Sequence, residues 1–534
     1  MKERLIILGA GVMQGPAIGI ARELGFFTIA LDGSPNAPCV SMADAFEQID
    51  LKDKESIEAF ARSLQKEGGN LGIMTAGTDF SASVAWTAER LGLPGIPYEA
   101  ALNASDKERM RSCFKKAGLP SPEFTVIGSA DSGESMPLPG GFPLVIKPVD
   151  NMGGRGCRRV DRPEEFRAAV DDAIRFSRSG RAIVECFMEG PEFSVDAIVH
   201  HGDITVCGLA IRHIFFPPCF IEMGHTMPAA IDNKKQQAIL ETFRSGIRAL
   251  DLAGAGSTGA AKGDIKLTPN GPMIGEIAAR LSGGYMSGWT YPCASGVEPT
   301  RSAVLAAMGR EPGNLVPLKE WTSAERAFIS IPGTVKSISG LEAARKQPHV
   351  TELFLRAAEG STVIFPENNV SKCGNIISAA PDREAAITAA ETAARSILVR
   401  LDADNRETAA FLDAETAFPP DAFQLGPELK AVLKTLPEGI PPESPVPPDA
   451  ALIPFPGLTA CGLRDYAGRT VTESLQAVRT LTGLSLPELL PETAKSSDNI
   501  TGVFLGKSFW AAFVRGGYQG AVYYIDRSGM GNGL

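Results

Sequence analysis

Asp264 and Glu276 stand twelve residues apart on either side of Pro269-Asn270-Gly271-Pro272. A hairpin with a loop of three or five residues puts the two carboxylates opposite each other on one face. There they repel, and a hard cation such as magnesium relieves the repulsion. Arg280 follows four residues on, a cation where a transferred phosphate would sit, and Ser282-Gly283-Gly284 offers backbone N–H groups to an anion. Upstream, Lys147 closes the apolar run 142–146, and Asn151-Met152-Gly153-Gly154-Arg155-Gly156 comes after it. Glycines let amide groups close over phosphate oxygens while a lysine adds a point charge; a flexible hairpin with a surface lysine has the same sequence. Glu185 and Glu192 flank a short connector that can frame an adenine with backbone groups and a ribose with Glu192, or simply turn in solvent. This is chemistry of positioning and charge neutralisation around phosphates. The sequence shows no Ser–His–Asp or Cys–His set for a covalent acyl-enzyme.

Two motifs imitate other nucleotide sites. Gly9-x-Gly11, with Asp32 about twenty residues on, looks like a dinucleotide turn, but position 14 is Gln where the third glycine should pack the helix. Gly502-x-x-x-Gly506-Lys507-Ser508 is one residue short of a Walker A loop.

The elements that must carry these residues follow from hydrophobic patterning. The first hundred residues alternate strands (5–8, 28–31, near 71–74) with helices (after Gly11, 54–66, 81–91), which predicts a parallel sheet. A helix at 106–116 leads to strands at 144–147, 182–185 and 193–199, a helix at 234–251 and the 261–277 hairpin. Residues 299–405 again mix strands with a helix, at 383–398. Between Pro419 and Pro456 fall 11 of the chain's 39 prolines, so an extended linker or a loop-rich segment is expected there, with a small appended domain beyond it. Every phosphate motif precedes this stretch, so a chain ending near Pro420 is expected to fold alone and keep its nucleotide.

The 534 residues exceed one core and suggest three or four domains at about 100–200 residues each. With 44% apolar and 21% charged residues the composition is that of folded globular protein. A net charge of −10 argues against a general nucleic-acid or anionic-membrane binder. No run approaches the roughly 18 uncharged apolar residues of a membrane helix, and the first residues read as a strand, not a signal peptide. The nine cysteines show no C-x-x-C pair, so a cytoplasmic location is expected.

These elements in this order resemble the ATP-grasp superfamily, and more specifically its carboxylate–amine ligases, such as the L-amino-acid ligases and glycinamide ribonucleotide synthetase. The resemblance runs over roughly residues 1 to 400 and includes Thr78-Asp79, Leu91-Gly92-Leu93-Pro94-Gly95, Asp106-Lys107 and Ala117-Gly118-Leu119-Pro120-Ser121-Pro122. It implies an α/β, ATP-grasp architecture: a Rossmann-like parallel-sheet domain at 1–100 and an ATP-grasp domain at 101–298. The latter has two α+β lobes clamping ATP and a lid at about 122–195. A C-terminal ligase lobe at 299–405, the linker at 419–456 and the appended domain at 457–534 complete the chain.

Residue by residue, the resemblance implies that Lys107 and Lys147 contact ATP phosphates beneath a lid of Gly153, Gly154 and Gly156. Glu185, with the backbone of Cys186 and Met188, would hold adenine, and Glu192 the ribose. Asp264 and Glu276 would bind Mg2+ or Mn2+, and Arg280 would steady the transferred phosphoryl group. Where the family usually has Asn, two residues after the second metal carboxylate, this chain has Ala278, which leaves one metal or two open. Glu222-x-Gly224-His225 lies in a Pro-rich stretch, 216–228, that resembles a loop near the acceptor site; His225, Ser282, Gly283 and Gly284 are the expected substrate contacts. The implied reaction makes an acylphosphate and ADP from a small carboxylic acid and ATP, after which an amine displaces phosphate. Partners are then these two small molecules, not nucleic acid or membrane; the sequence does not fix the assembly state, a homodimer being one option. Two alternatives remain: a bicarbonate-activating carboxylase of the biotin carboxylase or carboxyaminoimidazole ribonucleotide synthetase kind, and a non-catalytic ATP-binding protein.

Overall fold

β1 (Arg4–Leu8) is apolar and central to a parallel sheet with β2 (Phe27–Asp32), β3 (Ala45–Gln48) and β4 (Leu71–Thr75), in the order β3-β2-β1-β4. α1 (Gly15–Glu23), α2 (Lys54–Lys66) and α3 (Ser81–Leu91) supply helices between and after the strands. Asp53 starts α2 by accepting from the Ser56 N–H, and Gly92 ends α3 in the left-handed region. The structure is a computed structural model that describes residues 3–128, 138–438, 451–452, 457–459, 461–484, 486, 502–503 and 505–528.

α4 (Tyr98–Ser105) leads to α5 (Lys107–Lys116). Asp106 caps α5 by accepting from the N–H groups of Glu108 and Arg109, which fixes Lys107 at the first helical position and Arg111 one turn on. Next come β5 (Phe124–Gly128), β6 (Leu144–Pro148), β7 (Arg158–Val160), α6 (Pro163–Phe176) and β8 (Arg181–Cys186). The strands form an antiparallel sheet ordered β5-β8-β6-β7, with Ile127, Leu144, Ile146 and Val184 buried against Val170 and Ala173 of α6.

β9 (Glu192–His200), β10 (Asp203–Phe215), β11 (Ile221–Met227), α7 (Asn233–Ala249), β12 (Gly259–Thr268) and β13 (Gly271–Ala278) build the floor of the site. The strands run antiparallel in the order β13-β12-β9-β10-β11. β9 shows why. Phe193, Val195 and Ala197 pack with Ile239, Phe243 and Ile247 of α7, while the alternate residues Glu192, Ser194 and Asp196 take the opposite face. One strand thus serves both core and site. α8 (Tyr291–Ser295) and α9 (Pro299–Ala307) follow.

The chain divides into two compact units: residues 1–325 with 377–387, and residues 326–376 with 388–534. In the second, strands Gly333–Ser339 and Leu398–Leu401 pair antiparallel, helix Arg406–Asp413 packs on helix Gly506–Arg527, and helices Pro427–Thr435, Val471–Thr482 and Gly506–Arg527 surround one core. That core joins Leu398, Phe423 and Leu425 to Leu458, Val478, Phe509, Trp510 and Phe513. Within the proline-rich stretch Pro427–Thr435 is helical, its proline standing at the first position where it costs no hydrogen bond. Residues 439–450 and 453–456 of the expected linker, and parts of the expected appended domain, lie outside the described residues. No described helix is long and apolar enough to cross a membrane.

Candidate active site

Asp264 and Glu276 face each other across β12 and β13, but not by the expected loop. The turn between Thr268 and Gly271 has only two residues, a register that would pair Asp264 with position 275 and send Glu276 to the other face. A β-bulge between Asp264 and Ile265, with Gly275 as the extra residue, restores the pairing. A side chain at Gly275 would meet the Asp264 carbonyl oxygen at 3.0 Å, so the bulge favours glycine. Arg111 fastens it, donating to the Gly275 carbonyl at 2.6 Å and to Glu185 at 2.8 Å.

Nor do the two carboxylates face one another bare. Asp264 pairs with Lys262 and, at 3.1 Å, with Arg212, which also holds Glu192 and, at 2.8 Å, Glu222. Glu276 lies 3.6 Å from Lys107. Burial alone would raise the Glu276 pKa, but Lys107, Lys262, Lys147 and Arg280 together hold its carboxyl well below the usual range. Burial would likewise lower Lys107; Glu276, Asp79 and Glu185 outweigh it and raise the ammonium pKa. Without a metal, cations already neutralise the pair.

Glu185 is buried with one oxygen on Arg111 and the other on Lys147, both at 2.8 Å. Its side chain therefore anchors Lys147, and the Cys186 N–H is taken by the Glu123 carbonyl at 3.1 Å. The Met188 carbonyl accepts from Lys266 at 3.1 Å, and Phe187 lies beside Phe220 with ring centroids 6.4 Å apart. Gly153, Gly154 and Gly156 all have positive φ, and Lys107 reaches this loop by donating to the Asn151 carbonyl at 2.8 Å. Arg111→Leu is expected to cost about 3–5 kcal/mol, because it strands a buried carboxylate and a bulge carbonyl together. Urea unfolding checks this; a change below about 1 kcal/mol would contradict it.

The parallel-sheet region reaches the same place. Ala76 and Leu281 form an isolated parallel bridge, bringing Thr78-Asp79 beside Arg280. Burial raises the Asp79 pKa despite the nearby Arg280 and Lys107. Arg280 is itself buried; it donates to the Leu281 carbonyl at 3.0 Å, while its Nε has no hydrogen-bond partner among the described residues. The glycine turn after β1 is closed to phosphate. The Ala10 N–H donates to Asp32 and the Gly11 N–H to Gln14, each at 2.9 Å, so side chains occupy amides that a dinucleotide would need.

His225 does not sit in a loop. Ile221–Met227 is a wholly buried strand, with the His225 ring fully enclosed, Nε2 2.9 Å from the Thr290 hydroxyl and Nδ1 3.4 Å from Glu325. Prolines around 217–228 had suggested a loop, but β10 and β11 pair across them. Sequence reading also passed over Arg111, Arg212, Lys262 and Asp196. The polar-apolar alternation 192–196 is a local signal by which Asp196 could have been found, whereas the cations stand far apart in sequence and join the site only through the sheet.

Two carboxylates opposite each other suit a hard cation. Magnesium commonly takes one or two protein carboxylates, substrate phosphates and waters; no group of three or more metal-ligating side chains converges among the described residues, at this site or at another.

Residues 140–287 match the ATP-grasp domain, and residues 327–402 match L-amino acid ligase C-terminal domain 2. The chain carries an ATP-grasp domain. Lys147, Glu185, Asp264, Glu276 and Arg280 all lie inside it. The ATP-grasp fold also relates the chain to the L-amino acid ligase from Bacillus licheniformis, with a TM-score of 0.66 at 21% identity over 75% of this chain and 99% of that one. Uncharacterized protein y4rH of Sinorhizobium fredii is 25% identical over 405 residues, 74% of this chain and 83% of its own. Formate-dependent phosphoribosylglycinamide formyltransferase of Prochlorococcus marinus is 29% identical over 230 residues, 42% of this chain; the match spans about half of that relative, 55%.

Proposed function

We propose that this chain is an ATP-dependent ligase that activates a small carboxylic acid as an acylphosphate and joins it to an amine, releasing ADP and phosphate. One observation carries the reading: Asp264 and Glu276 stand opposite each other on a polar sheet face, with Lys107 against Glu276 and Arg280 close enough to lower its pKa. Magnesium bound there with ATP would neutralise charge on the phosphates. Lys107 and Lys147 hold phosphate oxygens beneath the Gly153–Gly156 loop, Glu192 meets the ribose, and the connector after Glu185 receives the adenine. Arg280 steadies the transferred phosphoryl group, and the turn 282–284 holds the acid's carboxylate in line with the γ-phosphate. The oxygen–phosphorus bond forms as ADP leaves, and the amine then displaces phosphate. The match of 327–402 to an L-amino acid ligase domain supports an amino acid among the substrates.

A panel of amino acids and small acids, assayed for stimulated ADP release, tests the reading. Hydroxylamine should trap a hydroxamate with the active acid, and Arg280→Ala should suppress trapping about 100- to 1,000-fold while ATP binding persists. AMP and pyrophosphate would mean adenylation instead, and turnover stimulated by bicarbonate alone would mean a carboxylase.

A further inference from the structure

Asp196 lies on the same face of β9, wholly enclosed, and among the described residues no ammonium or guanidinium pairs with it. Burial pushes its carboxyl up to about 6, against hydrogen bonds from Ser282 and the more distant charges of Lys262 and Arg280. Leaving a carboxylate so poorly compensated is costly, so the local construction invites a reason. Its oxygens accept from the Ser282 hydroxyl and, at 3.2 Å, from the Ser282 N–H. The Ser282 carbonyl in turn accepts from Ser287 at 2.7 Å, whose own carbonyl accepts from Thr300 at 3.1 Å.

The strand is fixed just as firmly. At a bulge in β10 the Tyr291 hydroxyl enters the β9–β10 ladder, accepting from the Asp196 N–H at 3.0 Å and donating to the Gly208 carbonyl at 3.2 Å. A side chain at Gly208 would meet that tyrosine ring at 2.7 Å. Asp196 thus grips the first amide of the turn 282–284, and no described acceptor pairs with the N–H of Gly283 or Gly284. Arg280, two residues before Ser282, keeps a buried Nε with no hydrogen-bond partner among the described residues.

We infer that Asp196 is a positioning residue, which holds the turn 282–284 so that its free amides and Arg280 receive one anionic group together. This rests on the proposed reading of the turn as an anion site. It predicts a sign opposite to simple electrostatics. Removing a negative charge near an anion should strengthen binding, whereas losing the grip on Ser282 should weaken it.

The test uses inorganic phosphate, titrated calorimetrically into the full chain saturated with magnesium and ADP. Asp196→Ala is expected to weaken phosphate by at least about tenfold, the loss of one charge-assisted hydrogen bond, while ADP affinity stays within about twofold. Asp196→Asn keeps one acceptor for the Ser282 N–H and should fall between, weakened about threefold. Phosphate binding as tight or tighter in Asp196→Ala overturns the inference alone, and if that variant does not fold, unchanged binding in Asp196→Asn does so. No phosphate binding by the unmutated, ADP-loaded chain overturns the anion site itself.

Discussion

Asp264→Asn and Glu276→Gln are each expected to lower magnesium-dependent ADP release about 100- to 1,000-fold, the range seen when one electrostatic contact to a reacting group is removed. The two should differ in stability. In the metal-free protein Asp264 neutralises Lys262 and shares Arg212 with Glu192 and Glu222, so Asn leaves Lys262 without its carboxylate. That costs roughly 1–3 kcal/mol, the usual result of stranding a buried charged donor. Glu276, a third exposed at its side chain and 3.6 Å from Lys107, has more access to water, and Gln there should cost less. Mutual repulsion would give the reverse, each neutral substitution raising stability. Denaturant titration without metal decides between these, and magnesium-dependent ADP release at wild-type level in both variants would remove the pair from the reaction.

Much of this arrangement was legible because the relevant signals are local. The helix at 54–66 and that at 81–91 were placed at their observed limits, since caps and apolar spacing lie within each segment. The carboxylate pairing was foreseen, but its cause was not. A two-residue turn plus a bulge at Gly275 and a longer unbulged loop give the same facing pair, and only the fold distinguishes them. His225 was misplaced because prolines at 217, 218 and 228 bracket the strand rather than interrupt it. The ion pairs of Arg111 and Arg212 were out of reach for a different reason. Arg111 and Glu185 are 74 residues apart, and no local pattern announces a contact made by docking a helix onto a sheet.

A chain ending at Pro420 is expected to be insoluble or to expose a large apolar surface, contrary to what the position of the nucleotide motifs suggests. The cut removes Phe423, Leu425, Leu458, Val471, Leu475, Val478, Phe509, Trp510 and Phe513 from the core they share with Leu398. At about 1.5–3 kcal/mol for each large buried side chain, the loss matches or exceeds the roughly 5–15 kcal/mol that holds a domain together. Polar ties go with them: the Tyr518 hydroxyl accepts from the Val399 N–H at 2.9 Å, and Asp526 binds Arg400 at 2.9 Å. An earlier cut does not help, because residues 377–387 return to the compact unit that holds the ATP-grasp site after the chain has left it at Glu325. Size-exclusion chromatography of the 1–420 chain, alone and co-expressed with 421–534, measures this. Recovery of a soluble species only on co-expression is the expected result; a monodisperse 1–420 chain that binds ATP would show that the core around Leu398 is dispensable.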